Sequence, residues 1–319
     1  MLTVLQTDRA WSDYNIERDV IEAAGYRYIT GPAVPAPVED IDALVRAHDP
    51  AAIMTCWAQV SATAIASAND LRIVQRIGVG LDNIAVDAAT ECGSWVANIP
   101  DYCVGEVSDH AIALLLDWAR GVSAFDTEVK AGIWDPSSAK LRRVSDLVVG
   151  IIGLGRTGTE TAKRLSAFGC RILAHTRTPK PCEWATQVSL TDLLGACDVL
   201  ILHAPLTPET HHMIDVDALA LMRPGAFLIN VSRGPLVDTQ ALIAALDSGQ
   251  LAGAGLDVVE GEPEPPRLLV ERANVRVTPH VAFSSGASIA ELRRRAAENV
   301  VAVLQGKAPT HPCNHPTRV

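Results

Sequence analysis

A glycine-rich turn that follows an apolar strand is the feature that most constrains how this chain can fold. The run at 147–152 is almost entirely apolar, which is typical of a strand covered on both faces of a parallel sheet. The turn comes directly after it and consists of Gly153, Leu154, Gly155, Arg156, Thr157 and Gly158. A segment with helical patterning follows at 159–168 and ends at Gly169. This order of strand, Gly-x-Gly-x-x-Gly turn and helix predicts a βαβ unit that binds the pyrophosphate of a dinucleotide.

Each glycine of the turn has a physical task in such a unit. Gly153 makes the tight turn, Gly155 lets the backbone approach the pyrophosphate, and Gly158 permits close packing of the helix on the strand. The N-terminus of the helix adds N–H donors and a partial positive charge. A purely structural turn is the alternative, but the strand before it and the helix after it favour the dinucleotide site.

Short apolar runs alternate with helical patterns over the rest of the chain. One series extends from residue 2 to about 98, and a second begins at Leu147. Alternation of this kind predicts an α/β protein with two doubly wound parallel-sheet domains. Between the two series, the apolar stripe of residues 101–125 predicts one long helix, which is either a connector that also packs against a large surface or an internal core helix.

Composition excludes several other classes of protein. With 37 acidic against 27 basic side chains, the formal net charge is −10, which argues against a surface that tracks nucleic-acid phosphates. No apolar run approaches the roughly 18 residues needed to span a bilayer, and the N-terminus has no signal-peptide core. The 7 cysteines are scattered without a ligand-like spacing, which predicts reduced thiols in a cytoplasmic protein and no metal site.

The residues after the next predicted strand, 171–174, bear on the choice of dinucleotide. NAD-binding units usually place a carboxylate there, about 20 residues after the glycines, to accept hydrogen bonds from the ribose. This chain has Thr176, Arg177 and Thr178 instead. An arginine can pair with a 2′-phosphate, and threonine hydroxyls can donate hydrogen bonds to it. The segment therefore favours NADP(H) over NAD(H); a solvent-exposed arginine in an NAD site is the alternative.

Five ordered motifs resemble those of one enzyme family. They lie at 78–84, 98–103, 230–238, 257–263 and 278–283. Together they resemble the D-isomer-specific 2-hydroxyacid dehydrogenases, in the branch of phosphoglycerate dehydrogenase and the C-terminal-binding-protein corepressors. The resemblance implies a Rossmann cofactor domain, residues 100–285, inserted in a flavodoxin-like substrate domain formed by residues 1–99 and 286–319.

The resemblance also implies hydride transfer between NAD(P)H and a 2-keto or 2-hydroxy acid. Arg233 resembles the arginine whose planar fork binds the carboxylate and carbonyl oxygens of the substrate, a geometry that lysine cannot reproduce. His280 resembles the general acid for reduction and the general base for oxidation, a role that suits histidine near neutral pH. Glu262 resembles the carboxylate that orients this imidazole, with Glu260 as the alternative if the loop has another register.

Further contacts are carried over from the same motifs. The expected cofactor contacts are His203, Ala204, Pro205, Val231, Ser232 and Asp257. Of these, Asp257 resembles the residue that contacts the nicotinamide carboxamide. The expected substrate contacts are the backbone amides of Val79 and Gly80 and the side chains of Cys56, Trp57 and Phe283. A structural role is an equally good interpretation of His203, Pro205 and Phe283, and His211 and His212 are assigned nothing.

The resemblance implies a homodimer paired through the cofactor domain, by way of residues 101–125 and Trp134. The predicted partner is a small anionic acid, with neither nucleic acid nor membrane. Three alternatives stay open. The first is a dinucleotide-sensing, corepressor-like binding protein without turnover. The second is a formate dehydrogenase, although relatives with that activity carry an amide where Glu262 stands. The third is a phosphite dehydrogenase, which also uses an arginine, a glutamate and a histidine.

Overall fold

The structure, a computed structural model, describes residues 1–316 and divides into two compact units. Unit 1 consists of Met1–Tyr102 and the segment that begins at Ser285, and unit 2 consists of Cys103–Ser284. The chain therefore completes most of unit 1, builds all of unit 2, and then returns to unit 1.

Unit 1 contains one parallel sheet of five short strands. Its strands are β1 (Thr3–Gln6), β2 (Arg27–Thr30), β3 (Ala52–Thr55), β4 (Ile73–Arg76) and β5 (Trp95–Ala97). Its helices are α1 (Asn15–Ala23), α2 (Val38–His48), α3 (Ala62–Ser67), α4 (Val86–Glu91) and, after unit 2, α12 (Gly286–Leu304). The strand order is β2-β1-β3-β4-β5, which is the flavodoxin-like order.

The last helix of unit 1 is tied to the first by a buried ion pair. Arg293 on α12 places Nη2 2.7 Å from Oε2 of Glu17 on α1, and both side chains are buried. The same nitrogen lies 2.7 Å from Oδ1 of Asp13. Removing one member of such a buried pair typically costs about 3–5 kcal/mol, because the other charge is left uncompensated. The returning helix is therefore an integral part of unit 1.

Unit 2 contains one parallel sheet of seven strands. Its strands are β6 (Val148–Ile152), β7 (Arg171–His175), β8 (Thr186–Gln187), β9 (Val199–Leu202), β10 (Ala226–Asn230), β11 (Leu251–Leu256) and β12 (Val275–Val277). Its helices are α5 (Val104–Arg120), α6 (Val122–Lys130), α7 (Arg156–Ser166), α8 (Leu190–Ala196), α9 (Val216–Leu221), α10 (Thr239–Asp247) and α11 (Arg267–Val270). The strand order is β12-β11-β10-β9-β6-β7-β8, which is the Rossmann order extended by one strand.

Both faces of this sheet are covered by apolar side chains. Along β9, Val199 and Ile201 belong to one apolar cluster, whereas Leu200 and Leu202 belong to another. Successive side chains of a strand point to opposite faces, so the two clusters lie on the two sides of the sheet. The prediction of two doubly wound α/β domains, one Rossmann-like and one flavodoxin-like, is confirmed.

The prediction of one long helix at residues 101–125 is wrong. The segment forms two helices, α5 and α6, separated by Gly121. Gly121 has φ 62°, a left-handed conformation that ends a helix and that glycine adopts without steric cost. The apolar stripe could not reveal this break, because it continues on both sides of the glycine.

Two smaller differences also concern unit 2. The two-residue strand β8 was not predicted, and α7 begins at Arg156 rather than at Thr159. Three residues of the glycine-rich turn therefore belong to the first turn of the helix. No helix in the described residues combines the length and the apolar character needed to cross a membrane.

Candidate active site

The predicted site residues of unit 2 follow the carboxyl ends of six adjacent strands. At these ends, the residues in register with one another on neighbouring strands are Ile152, His175, Leu202, Asn230, Leu256 and Val277. In open α/β sheets, ligands bind outside the carboxyl ends of the strands. The register thus places the glycine-rich turn, Arg233, Glu262 and His280 along one edge of one sheet.

The glycine-rich turn lies where the strand order of the sheet reverses. The chain runs from β6 outward to β7 and β8 and then returns to β9 on the other side of β6. Gly153 has φ 97°, and a β-carbon there would lie 2.6 Å from the carbonyl oxygen of His203. A β-carbon at Gly158 would lie 1.9 Å from the carbonyl oxygen of Gly153. Gly153 is therefore required by the packing of the turn against the segment after β9, and Gly158 by the packing within the turn.

Gly155 is different, because the protein does not need a glycine there. A β-carbon built at Gly155 meets no protein atom within 4 Å, and the residue is exposed. A missing side chain at an open position suits the close approach of a ligand to the backbone. The following helix α7 presents N–H groups without intrahelical partners at its N-terminus. The turn therefore fits a pyrophosphate.

His280 and Glu262 form a hydrogen-bonded pair beyond β12 and β11. Nδ1 of His280 lies 2.8 Å from Oε2 of Glu262. The other carboxylate oxygen of Glu262 accepts a hydrogen bond from the backbone N–H of Val259, at 3.0 Å. Because Nδ1 of the imidazole faces a carboxylate, Nε2 is the nitrogen placed to exchange a proton with a ligand. The ring of Phe283 stands edge-on to this imidazole, with the centroids 6.4 Å apart.

The structure distinguishes Glu262 from Glu260. Oε1 of Glu260 lies 2.6 Å from Nε2 of His212, and Oε2 accepts hydrogen bonds from the backbone N–H and the hydroxyl of Thr239. Glu260 thus binds His212 and the start of α10, whereas Glu262 is hydrogen-bonded to His280. The sequence left this choice open because both carboxylates belong to one loop.

Arg233 follows β10 in a loop held by its own neighbours. The side-chain amide of Asn230 donates to the carbonyl of Arg233 at 2.8 Å, and the hydroxyl of Ser232 donates to the carbonyl of Leu202 at 2.7 Å. A β-carbon at Gly234 would lie 2.2 Å from the carbonyl carbon of Val259. Gly234 therefore allows the Arg233 loop to approach the loop that carries Glu262, a requirement that the sequence analysis missed.

Comparison with known proteins gives this geometry a family context. Residues 112–282 match the family model for D-isomer specific 2-hydroxyacid dehydrogenase, NAD binding domain. D-3-phosphoglycerate dehydrogenase from Mycobacterium leprae is 39% identical over 292 residues, which are 88% of this chain and 53% of that protein. Glyoxylate reductase from Thermococcus litoralis is 39% identical over 259 residues, which are 78% of each chain.

The chain belongs to the D-isomer specific 2-hydroxyacid dehydrogenase family. The resemblance drawn from the five motifs is confirmed, and unit 2 contains the NAD-binding domain of the family. The chain spans about half the length of the curated D-3-phosphoglycerate dehydrogenases it matches.

Solved structures share the fold over nearly the whole chain. The TT0316 protein from Thermus thermophilus has a TM-score of 0.90 and 33% identity, and the match covers 98% of this chain and 100% of that one. An NADPH-dependent glyoxylate/hydroxypyruvate reductase from Sinorhizobium meliloti, in complex with NADP and malonate, has a TM-score of 0.86 and 31% identity. That match covers 100% of this chain and 99% of the other.

Asp257 has a structural task that the sequence did not reveal. Its carboxylate is 2% exposed and accepts hydrogen bonds from the backbone N–H groups of Val281 and Ala282 and from the hydroxyl of Thr278. The backbone N–H of His280 donates to the carbonyl of Asp257 at 2.9 Å. Asp257 thus fixes the loop on both sides of His280, which itself has φ 53°. Its assignment to the nicotinamide carboxamide stays a prediction.

His203 lies in the predicted cofactor segment and is paired within unit 2. Its Nε2 is 2.9 Å from the hydroxyl of Thr161 on α7. Burial lowers the pKa of His203 to about 4, so the ring is neutral near pH 7. It therefore adds no positive charge beside the glycine-rich turn. Ala204 is buried and Pro205 is exposed.

The residues after β7 lie open to solvent. Arg177 and Thr178 are exposed, and Thr176 is partly exposed. Arg177 is also close enough to Glu209 to help lower the pKa of that carboxyl, after the larger effect of a hydrogen bond from Thr207. An exposed guanidinium just after β7 could pair with a 2′-phosphate.

The predicted substrate contacts of unit 1 lie in two loops, each held by hydrogen bonds to a buried charged side chain. Asp8 accepts hydrogen bonds from the backbone N–H groups of residues 56–58, and Arg76 donates to the carbonyls of Ile77 and Gly80. Cys56 is 3% exposed, and burial raises the pKa of its thiol to about 12, so the thiol is protonated near pH 7 and its assignment stays a prediction. The assignments of Val79, Gly80 and Trp57 stay predictions. Asp8 and Arg76 were missed because an isolated charge in the sequence does not show what it binds.

Proposed function

We propose that this chain is an NAD(P)-dependent dehydrogenase that transfers a hydride between the nicotinamide and a small 2-keto or 2-hydroxy acid. The observation that carries the proposal is the His280–Glu262 pair, with Nδ1 and Oε2 2.8 Å apart, on the same sheet edge as Arg233. A chain that only sensed the dinucleotide would not need a histidine whose orientation is fixed by a carboxylate.

The chemistry assigns a separate task to each of these side chains. Reduction of a 2-keto acid adds a hydride to carbon and a proton to oxygen. The nicotinamide, when bound, supplies the hydride. The guanidinium of Arg233 pairs with the substrate carboxylate and polarises the keto oxygen. His280 delivers the proton from Nε2, and Glu262 stabilises the imidazolium and holds the ring in place. Oxidation uses the same groups in reverse.

A substrate panel tests the proposal directly. Purified protein is expected to oxidise NADPH or NADH with glyoxylate, hydroxypyruvate, pyruvate or a bulkier aromatic 2-keto acid, measured by the loss of absorbance of the reduced nicotinamide. Phosphite and formate with NADP and NAD belong in the same panel. Dinucleotide binding without turnover of any acid would favour the corepressor-like alternative. Turnover of phosphite or formate alone would replace the proposed substrate class.

We further propose that NADP(H) is preferred over NAD(H). The support is the exposed Arg177, which lies between two threonines just after β7. NAD-binding units usually carry a carboxylate at this position, and it would repel a 2′-phosphate. A relative of the same family, the Sinorhizobium meliloti reductase, is NADPH-dependent.

Arg177→Ala tests the cofactor preference. We expect kcat/KM for NADPH to fall about 10- to 150-fold, because a hydrogen bond to a charged group contributes about 1.5–3 kcal/mol. The value for NADH should stay within about twofold. Lys180→Ala removes another exposed cation of the same segment and should change neither value. Equal losses for both dinucleotides in Arg177→Ala would contradict the assignment.

We propose that the protein is a homodimer paired through α6 and the residues that follow it. Apolar side chains are exposed along this segment: Val122, Val129, Ile133 and Trp134, the last at 83% exposure. Val122 and Val129 are seven residues apart and therefore share a face of the helix. Four exposed apolar side chains within one short segment are suited to contact with a second copy of the chain.

Replacing Ile133 and Trp134 together by Ser is expected to convert the dimer to a monomer, measured by light scattering after gel filtration. Val216→Ser, at a position with 65% exposure on α9, serves as the matched control and should leave the dimer intact. A dimer that survives the double substitution, or a wild-type monomer, would contradict the proposed interface.

A cytoplasmic location completes the proposal. All 7 cysteines lie among the described residues as free thiols, the usual state in a reducing compartment. Fractionation of cells that express the protein would test this, and recovery outside the cytoplasmic fraction would contradict it.

A further inference from the structure

Two adjacent histidines project to the same side of unit 2. The ring centroids of His211 and His212 are 4.0 Å apart, with the planes tilted by 31°. Neighbouring side chains diverge by about 100° in a helix and point to opposite faces in a strand, so this pairing needs special backbone geometry. His212 supplies it with φ 51°, a left-handed conformation that is sterically unfavourable for a residue other than glycine.

Backbone hydrogen bonds hold this conformation in place. The N–H of His212 donates to the carbonyl of Pro235 at 2.8 Å, and the N–H of Ile214 donates to the carbonyl of Leu236 at 3.0 Å. His211 is exposed and His212 is partly exposed, so both imidazoles can be reached from solvent. The pair is therefore an ordered and accessible surface feature.

Glu260, which lies in a different loop, contacts the histidine pair. Its Oε1 lies 2.6 Å from Nε2 of His212. Its Oε2 accepts hydrogen bonds from the backbone N–H of Thr239 at 3.0 Å and from the hydroxyl of Thr239 at 2.6 Å. A carboxylate oriented by outer hydrogen bonds is typical of metal ligands.

The spacing of the donor atoms fits a metal ion. One donor atom from each of His211, His212 and Glu260 lies within 4.8 Å of the other two. Ligands about 2.0–2.2 Å from a tetrahedral Zn²⁺ are roughly 3.4 Å apart. To bind one ion, the hydrogen-bonded His212 and Glu260 atoms, now 2.6 Å apart, would have to separate slightly, and the exposed His211 ring would have to rotate toward them. Two imidazoles and one carboxylate leave the fourth position to water or to another ligand.

We propose that His211, His212 and Glu260 form a surface site for a divalent transition-metal ion such as Zn²⁺. The ion would take the place of the hydrogen bond between Nε2 of His212 and Glu260, and the imidazole would carry its proton on Nδ1. The set contains neither His280 nor Glu262, which are paired with each other. The proposal therefore does not depend on the dehydrogenase activity.

Calorimetric titration of tag-free, chelator-treated protein with ZnCl₂ tests the site. We expect one ion per chain, because the three side chains form a single set of donors. Co²⁺ should give the intense visible spectrum of a tetrahedral complex. His211→Asn and Glu260→Gln should each weaken Zn²⁺ binding about 10-fold or more, since even the loss of an outer hydrogen bond to a ligand costs that much.

Two controls separate this site from other Zn²⁺ donors. His315→Asn removes an exposed histidine of unit 1 and should leave the affinity unchanged. Cys92→Ser removes an exposed thiol and should also leave it unchanged. His211→Asn changes only an exposed side chain, and its unaltered melting temperature would show that the fold is intact. Absence of Zn²⁺ binding by the wild type, or wild-type affinity in His211→Asn, would overturn the proposal.

Discussion

His280→Asn is expected to lower kcat for 2-keto acid reduction about 100- to 10,000-fold, the usual contribution of a general acid. Asparagine is the informative replacement because position 280 has φ 53°, a left-handed conformation that asparagine tolerates better than most residues. The hydrogen bonds that fix this loop come from Asp257 and the backbone, so they survive the substitution. The Kd for NADPH, measured by fluorescence titration, should stay within about twofold of wild type.

Glu262→Gln is the companion variant for this prediction. It keeps an acceptor oxygen near Nδ1 of His280 but removes the negative charge that stabilises the imidazolium. We expect a smaller loss of kcat than in His280→Asn. If His280→Asn lost the dinucleotide as well as turnover, His280 would be a structural residue and not the proton donor.

How much the sequence predicts depends on the range of the interaction involved. The βαβ unit around Gly153 and Gly155 was predicted because strand, turn and helix are contiguous and each has a local pattern. Glu262 could not be separated from Glu260, because their partners, His280 and Thr239, are distant in the sequence. The fold brings each carboxylate to its own partner, and only these tertiary contacts distinguish Glu262 from Glu260.

Buried polar side chains were the least predictable part of the site. Asp257 and Asp8 each bind several backbone N–H groups of loops that are distant in sequence, and nothing in their neighbours indicates this. A family motif marks Asp257 as part of a site without saying which atoms it contacts. Gly121 was missed for a related reason, because one left-handed residue interrupts an apolar stripe without altering its period.

Arg233→Ala is expected to lower kcat/KM for 2-keto acids about 30- to 5,000-fold, which corresponds to about 2–5 kcal/mol for truncating one partner of a desolvated charge pair. KM should rise and kcat should fall together, because the guanidinium binds the carboxylate in the ground state and the developing oxyanion in the transition state.

Arg233→Lys should recover only part of this loss. Lysine keeps the charge but has no planar fork, so it cannot contact two substrate oxygens in a bidentate manner. Arg267→Ala, which removes a cation on α11 whose side chain is 87% exposed, is the matched control and should leave the kinetics unchanged. Arg233→Ala removes the hydrogen bond that the guanidinium donates to the carbonyl of Ser232 at 2.7 Å. The side-chain hydrogen bonds of Asn230 and Ser232 still hold the loop, so the melting temperature should change little. If Arg233→Ala kept wild-type kinetics with every acid that the enzyme reduces, the carboxylate would be bound elsewhere and the assignment of Arg233 would be wrong.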